Sequence, residues 1–280
     1  MSAPLRPLRD LIRDHGLWTR KSLGQHFILD LNVTRRIVRS VPDRAGAWAY
    51  EVGPGPGGLT RALLEAEFAG VVAVERDERC IAALGELKAV YPDRLRVISG
   101  DAMGVDEKDL LPSPAHLVAN LPYNVGTPLL FKWLERPTTF QTMTLMFQKE
   151  VAERLRAQPR TKAYGRLAVM AQWLCEVDTL FDIPRSVFLP PPRVTSTVVR
   201  LVPRATPLAD ASPIVLARVV AAAFGQRRKM LRASLKSIEA RTDAWLAAAG
   251  IDGRRRAEEL SIAEFCTLAR EFENLGAQRP

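Results

Sequence analysis

Glu51-Val52-Gly53-Pro54-Gly55-Pro56-Gly57-Gly58-Leu59-Thr60 decides the fold of this 280-residue chain. It follows an apolar, β-rich run, Trp48–Val52, and opens a stretch with helical spacing. A strand that turns sharply into a helix through glycines is the nucleotide-binding turn of open α/β sheets. Gly53, Gly55 and Gly58 fit the dinucleotide fingerprint G-x-G-x-x-G, whereas Glu51 with Gly53, Gly55 and Gly57 fits E-x-G-x-G-x-G, common in S-adenosylmethionine enzymes. Both patterns need the same backbone physics, so the turn alone does not choose between NAD and S-adenosylmethionine.

Working outward, β-rich runs recur at Trp48–Val52, Val71–Glu75, Leu95–Ser99, His116–Asn120, Met143–Gln148, Val177–Ile183 and Thr195–Val202. The first four are separated by segments long enough for crossover helices, which predicts a parallel sheet with helices on both faces. The last run alternates cleanly and reads as a late, antiparallel strand. Pro190-Pro191-Pro192 before it is neither helix nor central strand, but a loop beside a strand end.

Pro203 through Pro213 reads as a linker, and beyond it the spacing turns helical. Val215, Val219, Ala222 and Ala223 share one face, and Met230, Leu231, Ser234 and Leu235 continue the period. Gly250 ends a helix as its C′ residue. Ser261-Ile262-Ala263-Glu264 is a capping box opening the last helix. Leu5, Leu8 and Ile12 suggest a short helix stopping near Gly16. The expected fold is therefore α/β. A Rossmann-like domain over 1–206 carries an N-terminal basic helical segment, and a small helical domain covers 207–280.

Two acids follow the glycine turn at consecutive strand ends. Glu75 lies 22 residues after Gly53, where a carboxylate can accept both ribose hydroxyls. Asp101 can accept from an adenine amine, with Met103 as an apolar wall. The fourth strand runs into Asn120-Leu121-Pro122-Tyr123. There the Asn120 side-chain oxygen and the Leu121 carbonyl can accept from an exocyclic base amine and free its delocalised lone pair. Pro122 bends the chain, and Tyr123 offers a stacking face worth about 1–3 kcal/mol per base. This box points to methyl transfer onto a nucleobase amine rather than hydride transfer. Attack on a sulfonium methyl needs alignment more than a strong base. Phe188 could close the other face of a flipped base or pack in the core.

The net charge is +9, unevenly spread. Residues 1–44 hold nine Lys/Arg and four Asp/Glu, residues 45–203 hold 18 of each, and residues 204–280 hold 13 and nine. A neutral middle with basic flanks suits a phosphate-bearing partner that reaches both flanks. The three cysteines and three histidines have no ligand spacing, so no metal is expected. No apolar run approaches membrane-spanning length and no secretory or transit signal is evident, so a cytoplasmic protein is expected.

From end to end the chain resembles the small-subunit (16S) ribosomal RNA adenine N6,N6-dimethyltransferase family. The resemblance rests on 21–30, 52–60, Asn120–Tyr123, 147–152, 164–167, 188–196 and 224–235. It implies an enzyme that dimethylates two adjacent adenosines in the 3′-terminal hairpin loop of small-subunit rRNA, late in subunit biogenesis. S-adenosylmethionine would be its cofactor and the small ribosomal subunit its partner, and a monomer is expected. By position, cofactor contacts would come from His26, Ile28, Gly53, Gly55, Glu75, Asp101, Met103 and Asn120. His26 replaces the asparagine of some relatives. Catalytic contacts would come from Asn120, Leu121, Pro122, Tyr123 and Phe188, and RNA contacts from Arg227, Arg228 and Lys229. The rival readings are a macrolide-resistance type methylase of large-subunit rRNA, a ribosome-assembly or nucleic-acid-binding factor with the same fold, and an NAD-dependent dehydrogenase.

Overall fold

The computed structural model describes residues 5–17 and 26–277. The Lys21–Gln25 part of the segment that leads to His26 lies outside these. In chain order the elements begin with α1 (Leu8–Asp14), β1 (Phe27–Ile28), α2 (Leu31–Arg39), β2 (Trp48–Val52), α3 (Gly58–Glu65), β3 (Gly70–Glu75) and α4 (Glu78–Val90). They continue with β4 (Leu95–Ser99), α5 (Glu107–Leu110), β5 (Ala115–Asn120), α6 (Gly126–Leu134), β6 (Thr142–Gln148), α7 (Lys149–Arg156), α8 (Arg166–Leu174) and β7 (Cys175–Ile183). The chain ends with β8 (Phe188–Leu189), β9 (Ser196–Pro203), α9 (Pro213–Gly225), α10 (Leu231–Ser234), α11 (Thr242–Ala248) and α12 (Ile262–Ala277).

The main sheet has the order β4-β3-β2-β5-β6-β9-β7. Its first five strands are mutually parallel, and β9 runs antiparallel to β6 with Met143 opposite Leu201 and Gln148 opposite Ser196. This is the expected Rossmann-like α/β arrangement. All of β3, and all of β2 beyond Trp48, is buried, as strands covered by helices on both faces must be. Edge strand β4 is only partly buried, and its Arg96 guanidinium lies 4.6 Å from the Trp48 ring centre. The order reverses between β3-β2 and β2-β5, so the loops after β2 and β5 open away from each other. A crevice forms there, where open α/β sheets bind ligands.

The chain divides into two compact units, one of residues up to 152 together with 178–203, the other of 153–177 with the residues from 204 onward. A single cut after residue 206 does not describe this division, because 153–177 belong with the C-terminal helices. In the second unit α9 buries Leu216, Val219, Val220 and Ala223; Val219 and Ala223 are on the expected face, while Val215 and Ala222 are half-buried. Tyr164, Phe224 and Phe265 form an aromatic chain with ring centres 5.9 and 5.6 Å apart. The capping box forms reciprocally. The Ser261 N–H donates to Glu264 Oε2 at 2.7 Å and the Glu264 N–H to Ser261 Oγ at 3.2 Å.

A two-stranded pair, β1 with β8, brings Ile28 opposite Phe188 in the first unit. Each strand is only two residues long, too short to leave a periodic signature in the sequence. The pair holds the segment after His26 against the start of α3, where a Cβ on Gly58 would stand 2.6 Å from the Ile28 carbonyl oxygen. Among the described residues no helix is long and apolar enough to cross a membrane.

A candidate cofactor cleft beside the Asn-Leu-Pro-Tyr turn

An open cleft of about 760 Å³ lies over the ends of β2, β3, β4 and β5. Gly53 and Gly55 form its floor, Glu75, Arg76, Asp101 and Met103 one edge, and His26, Asn120, Leu121 and Pro122 the other. Gly53 and Gly55 have φ of +69° and +56°, which L side chains rarely adopt, so the turn needs glycine here. Gly55 has a second reason. A Cβ there would stand 2.7 Å from Phe27 Cε1, because the Phe27 ring is laid across it.

Glu75 ends β3 with its carboxylate held by three backbone donors. Oε2 accepts from Gly55 N–H at 3.1 Å, and Oε1 from Arg76 and Asp77 N–H at 2.9 Å each. Burial raises its pKa, and the three N–H bonds work against that. Asp101 follows β4 in an exposed turn. Its Oδ1 accepts from Met103 N–H at 2.9 Å, and its Oδ2 lies 3.8 Å from an Arg76 guanidinium nitrogen. A buried acceptor at one strand end, an exposed one at the next and apolar walls from Val125, Leu129 and Met103 suit a ribose and an adenine edge. The residues present therefore fit an adenosyl cofactor.

The other edge is tied together by three hydrogen bonds. Asn120 Nδ2 donates to the His26 carbonyl at 2.9 Å, and His26 Nδ1–H donates to the Pro190 carbonyl at 2.8 Å. A carbonyl can only accept, so the Asn120 amide must turn its NH₂ toward His26 and leave Oδ1 free. The Tyr123 hydroxyl shares a hydrogen bond with Ser196 Oγ at 2.6 Å, and its ring is tilted beside His26 with centres 5.1 Å apart. Burial raises the Tyr123 phenol pKa while Ser196 opposes the shift, so the hydroxyl is neutral. Glu51, under the glycine turn, is 1 % exposed and its carboxyl is pushed up to about 8 by burial.

Of the site residues expected from sequence, His26, Gly53, Gly55, Glu75, Asp101, Met103, Asn120, Leu121 and Pro122 come together around the cleft. Tyr123 stands beside His26, outside the cleft lining. Ile28 and Phe188 are paired on β1 and β8 and packed with Ile37 and Val38, at 4 % and 3 % exposure. Phe188 is absent from the cleft lining, whereas Ile28 also lines a smaller cavity that shares Phe27, Gly53 and Asn120 with the cleft. Phe27, Arg76, Ala102, Val125 and Leu129 line the cleft without having been singled out. Arg76 could have been found from its place directly after Glu75, but the apolar residues carry no chemical signal.

In the second unit, Arg227, Arg228 and Lys229 occupy a turn after α9, not a helix face. Arg227 is engaged internally. Its Nε donates to Glu258 Oε2 at 2.8 Å and a terminal nitrogen to the Thr161 carbonyl at 3.3 Å. Arg228 and Lys229 are exposed. Among the described residues no group of three His, Cys, Asp or Glu side chains is placed to hold a metal ion.

Comparison with known proteins agrees with this geometry. The family described as Ribosomal RNA adenine dimethylase matches residues 16–274. A Ribosomal RNA small subunit methyltransferase A from Paramagnetospirillum magneticum is 55% identical over 271 residues, covering 97% of this chain and 96% of that one. Its counterpart from a Chelativorans species is 56% identical over 273 residues, covering 96% and 98%. The crystal structure of a dimethyladenosine transferase from Plasmodium falciparum superposes with a TM-score of 0.72 at 25% identity, over 90% of this chain and 98% of that one. The crystal structure of the 23S rRNA methyltransferase ErmE gives 0.64 at 28% identity, over 88% and 99%. With its cleft, its Asn-Leu-Pro-Tyr turn and a match over nearly its whole length, this chain belongs to the ribosomal RNA adenine dimethylase family.

Proposed function

We propose that this protein transfers methyl groups from S-adenosylmethionine to the N6 amines of two adjacent adenosines in the 3′-terminal hairpin loop of small-subunit rRNA. It would act as a cytoplasmic monomer late in small-subunit biogenesis. The observation that carries the reading is the Asn120 amide, whose NH₂ is committed to the His26 carbonyl so that Oδ1 is left to accept.

S-adenosylmethionine, when bound, supplies an electrophilic methyl on a sulfonium. Glu75 would accept from the ribose hydroxyls with lone pairs not used by its three N–H donors. Asp101 would accept from the adenine amine, with Met103 and Ala102 along the ring edge. Asn120 Oδ1 and the Leu121 carbonyl would accept the two N6 hydrogens of the target base and pull that nitrogen toward tetrahedral geometry. Tyr123, its hydroxyl anchored on Ser196, would present its ring to the extruded base and offset part of the few kcal/mol of unstacking. Phe188 lies in the core, so base stacking in this reading falls to Tyr123. Positioning dominates, and the methylated nitrogen sheds its proton without a dedicated base. Arg228 and Lys229 would neutralise rRNA phosphates.

The test is methyl incorporation from labelled S-adenosylmethionine into unmethylated small subunits and, in parallel, large-subunit rRNA, with wild type and Asn120→Ala. Dimethyladenosine at adjacent small-subunit positions, lost in Asn120→Ala while RNA binding persists, supports the reading. Label in large-subunit RNA alone moves the substrate there, and unchanged turnover in Asn120→Ala removes Asn120 from its role.

A further inference from the structure

The turn that carries Asp101 has few supports of its own. Gly104 N–H donates to the Asp101 carbonyl at 2.9 Å and Met103 N–H to Asp101 Oδ1, which makes a β-turn with an Asx brace. The Gly100 N–H donates to the Glu75 carbonyl at 2.9 Å and Arg76 lies 3.8 Å from Asp101 Oδ2, both on the β3 side; on the other side the turn is tied to Lys132 of α6, the helix whose Leu129 walls the cleft. The Lys132 ammonium donates to the Ala102 carbonyl at 2.6 Å, to the Val105 carbonyl and to Glu107 Oε1 at 2.8 Å. An ammonium has three N–H donors, and all three are used. Glu107 is itself 8 % exposed and accepts from Trp133 Nε1 at 2.9 Å, one residue further along α6. Lys132 therefore grips both ends of the 102–107 segment, while its own side chain stays outside the cleft lining.

We propose that Lys132 is a positioning residue for S-adenosylmethionine. It fixes the Asp101–Met103 edge against α6, so the adenosine end of the cofactor meets a preformed edge. The proposal rests on the placement of adenine at Asp101 and Met103 described above. Without Lys132 the turn keeps its internal bonds and its Gly100 and Arg76 contacts but loses its lysine anchor to α6, and the ligand must order that edge on binding. Asn120, at the other edge of the cleft, is untouched, so affinity for the cofactor falls while methyl transfer at saturation does not.

The experiment is calorimetric titration of S-adenosylhomocysteine into wild type, Lys132→Met, the double variant Lys132→Met with Glu107→Gln, and Asp101→Asn. The double variant removes the carboxylate that a lone Lys132→Met would strand beside Trp133, so a folded protein is in hand even if the single variant is lost. Both Lys132 variants should bind about tenfold more weakly, about 1.4 kcal/mol. Hydrogen exchange in ligand-free protein should speed up at the Met103 and Gly104 amides and not in β2 or β5. The KM for S-adenosylmethionine should rise with kcat unchanged, and Lys132→Arg should recover part of the affinity. Wild-type affinity and wild-type exchange in the folded Lys132 variants overturn the proposal. If Asp101→Asn alone is weak, the failure is confined to Lys132; if Asp101→Asn also binds normally, the placement of adenine falls with it.

Discussion

Gly55→Ala should damage the protein in a way that Gly53→Ala does not, and the structure gives the size of the difference. Both glycines are left-handed, so each alanine costs about 1–2 kcal/mol of backbone strain. Each also loses unfolded-state entropy, which returns about 0.4–1 kcal/mol. At Gly53 the nearest atom to a new Cβ is Pro122 Cδ at 3.6 Å, an ordinary contact, so the net cost is about 1 kcal/mol. At Gly55 the new Cβ stands 2.7 and 2.9 Å from two Phe27 ring carbons. That ring is packed with Ile12, Leu17, Cys80 and Ala83, so it has little room to yield. Overpacking of this kind adds about 1–3 kcal/mol, for a total of about 2–4 kcal/mol. Gly85 supplies the control. It is exposed on α4 with nothing within 4 Å, and alanine there should stabilise by about 1 kcal/mol. The assay is urea unfolding of the three variants with S-adenosylhomocysteine titrations alongside. Gly55→Ala should also bind at least about tenfold more weakly, because Gly55 N–H positions the Glu75 carboxylate. If Gly55→Ala is as stable as Gly53→Ala and binds like wild type, the Phe27 ring does not set the floor of the cleft and the argument fails.

The remaining predictions concern charge. Glu51 has a folded pKa of about 8, above its unfolded value, so its contribution is complete at low pH and is lost as pH rises toward 8. Over that window the unfolded chain has released the proton and the folded one keeps it, which costs about 1.4 kcal/mol per pH unit. Glu51→Gln should therefore be more stable than wild type at pH 7.5 and closer to it at pH 5; equal pH slopes in urea unfolding would sink this. Arg228→Glu with Lys229→Glu should weaken rRNA binding and flatten its salt dependence by about 1.4–1.8 in log–log slope, as for two lost phosphate contacts. Arg227→Ala should instead lower the unfolding midpoint through loss of the Glu258 and Thr161 contacts, and an unchanged midpoint would return Arg227 to the RNA surface.

The inner parallel strands were legible because burial on both faces leaves near-continuous apolar runs, and four of the parallel strands end at or just before a residue with chemistry: Gly53, Glu75, Asp101, Asn120. The β1–β8 pair was not. Two-residue strands have no period, and Ile28 meets Phe188 across most of the first unit's sequence. On α9 Val219 and Ala223 are buried as expected, but Leu216 and Val220 take the places given to Val215 and Ala222, because nearly every residue from Pro213 to Gly225 is apolar and the spacing cannot choose a side. The same ambiguity misplaced Phe188, since an aromatic residue that stacks on a base and one that fills a core look alike in sequence. Segment 153–177 went to the second unit through contacts made far along the chain, such as Trp173 Nε1 donating to the Ala209 carbonyl at 2.7 Å. In the cleft, most residues that work by charge or by backbone freedom were found, Arg76 excepted, whereas Phe27, Val125 and Leu129, which work by shape, were not.

The Asn-Leu-Pro-Tyr turn explains why so few groups suffice. An asparagine is a useful acceptor only if its amide cannot rotate, because half a turn would aim two N–H groups at the base amine and repel it. Here the His26 carbonyl forbids that half turn, and His26 is in turn held by the Pro190 carbonyl. The order runs from a proline loop late in the first unit, through a histidine near its start, to the end of β5. None of the three is itself reactive. Under the proposed function, together they would store the orientation of one oxygen in the folded state and leave no reorganisation for the moment of reaction.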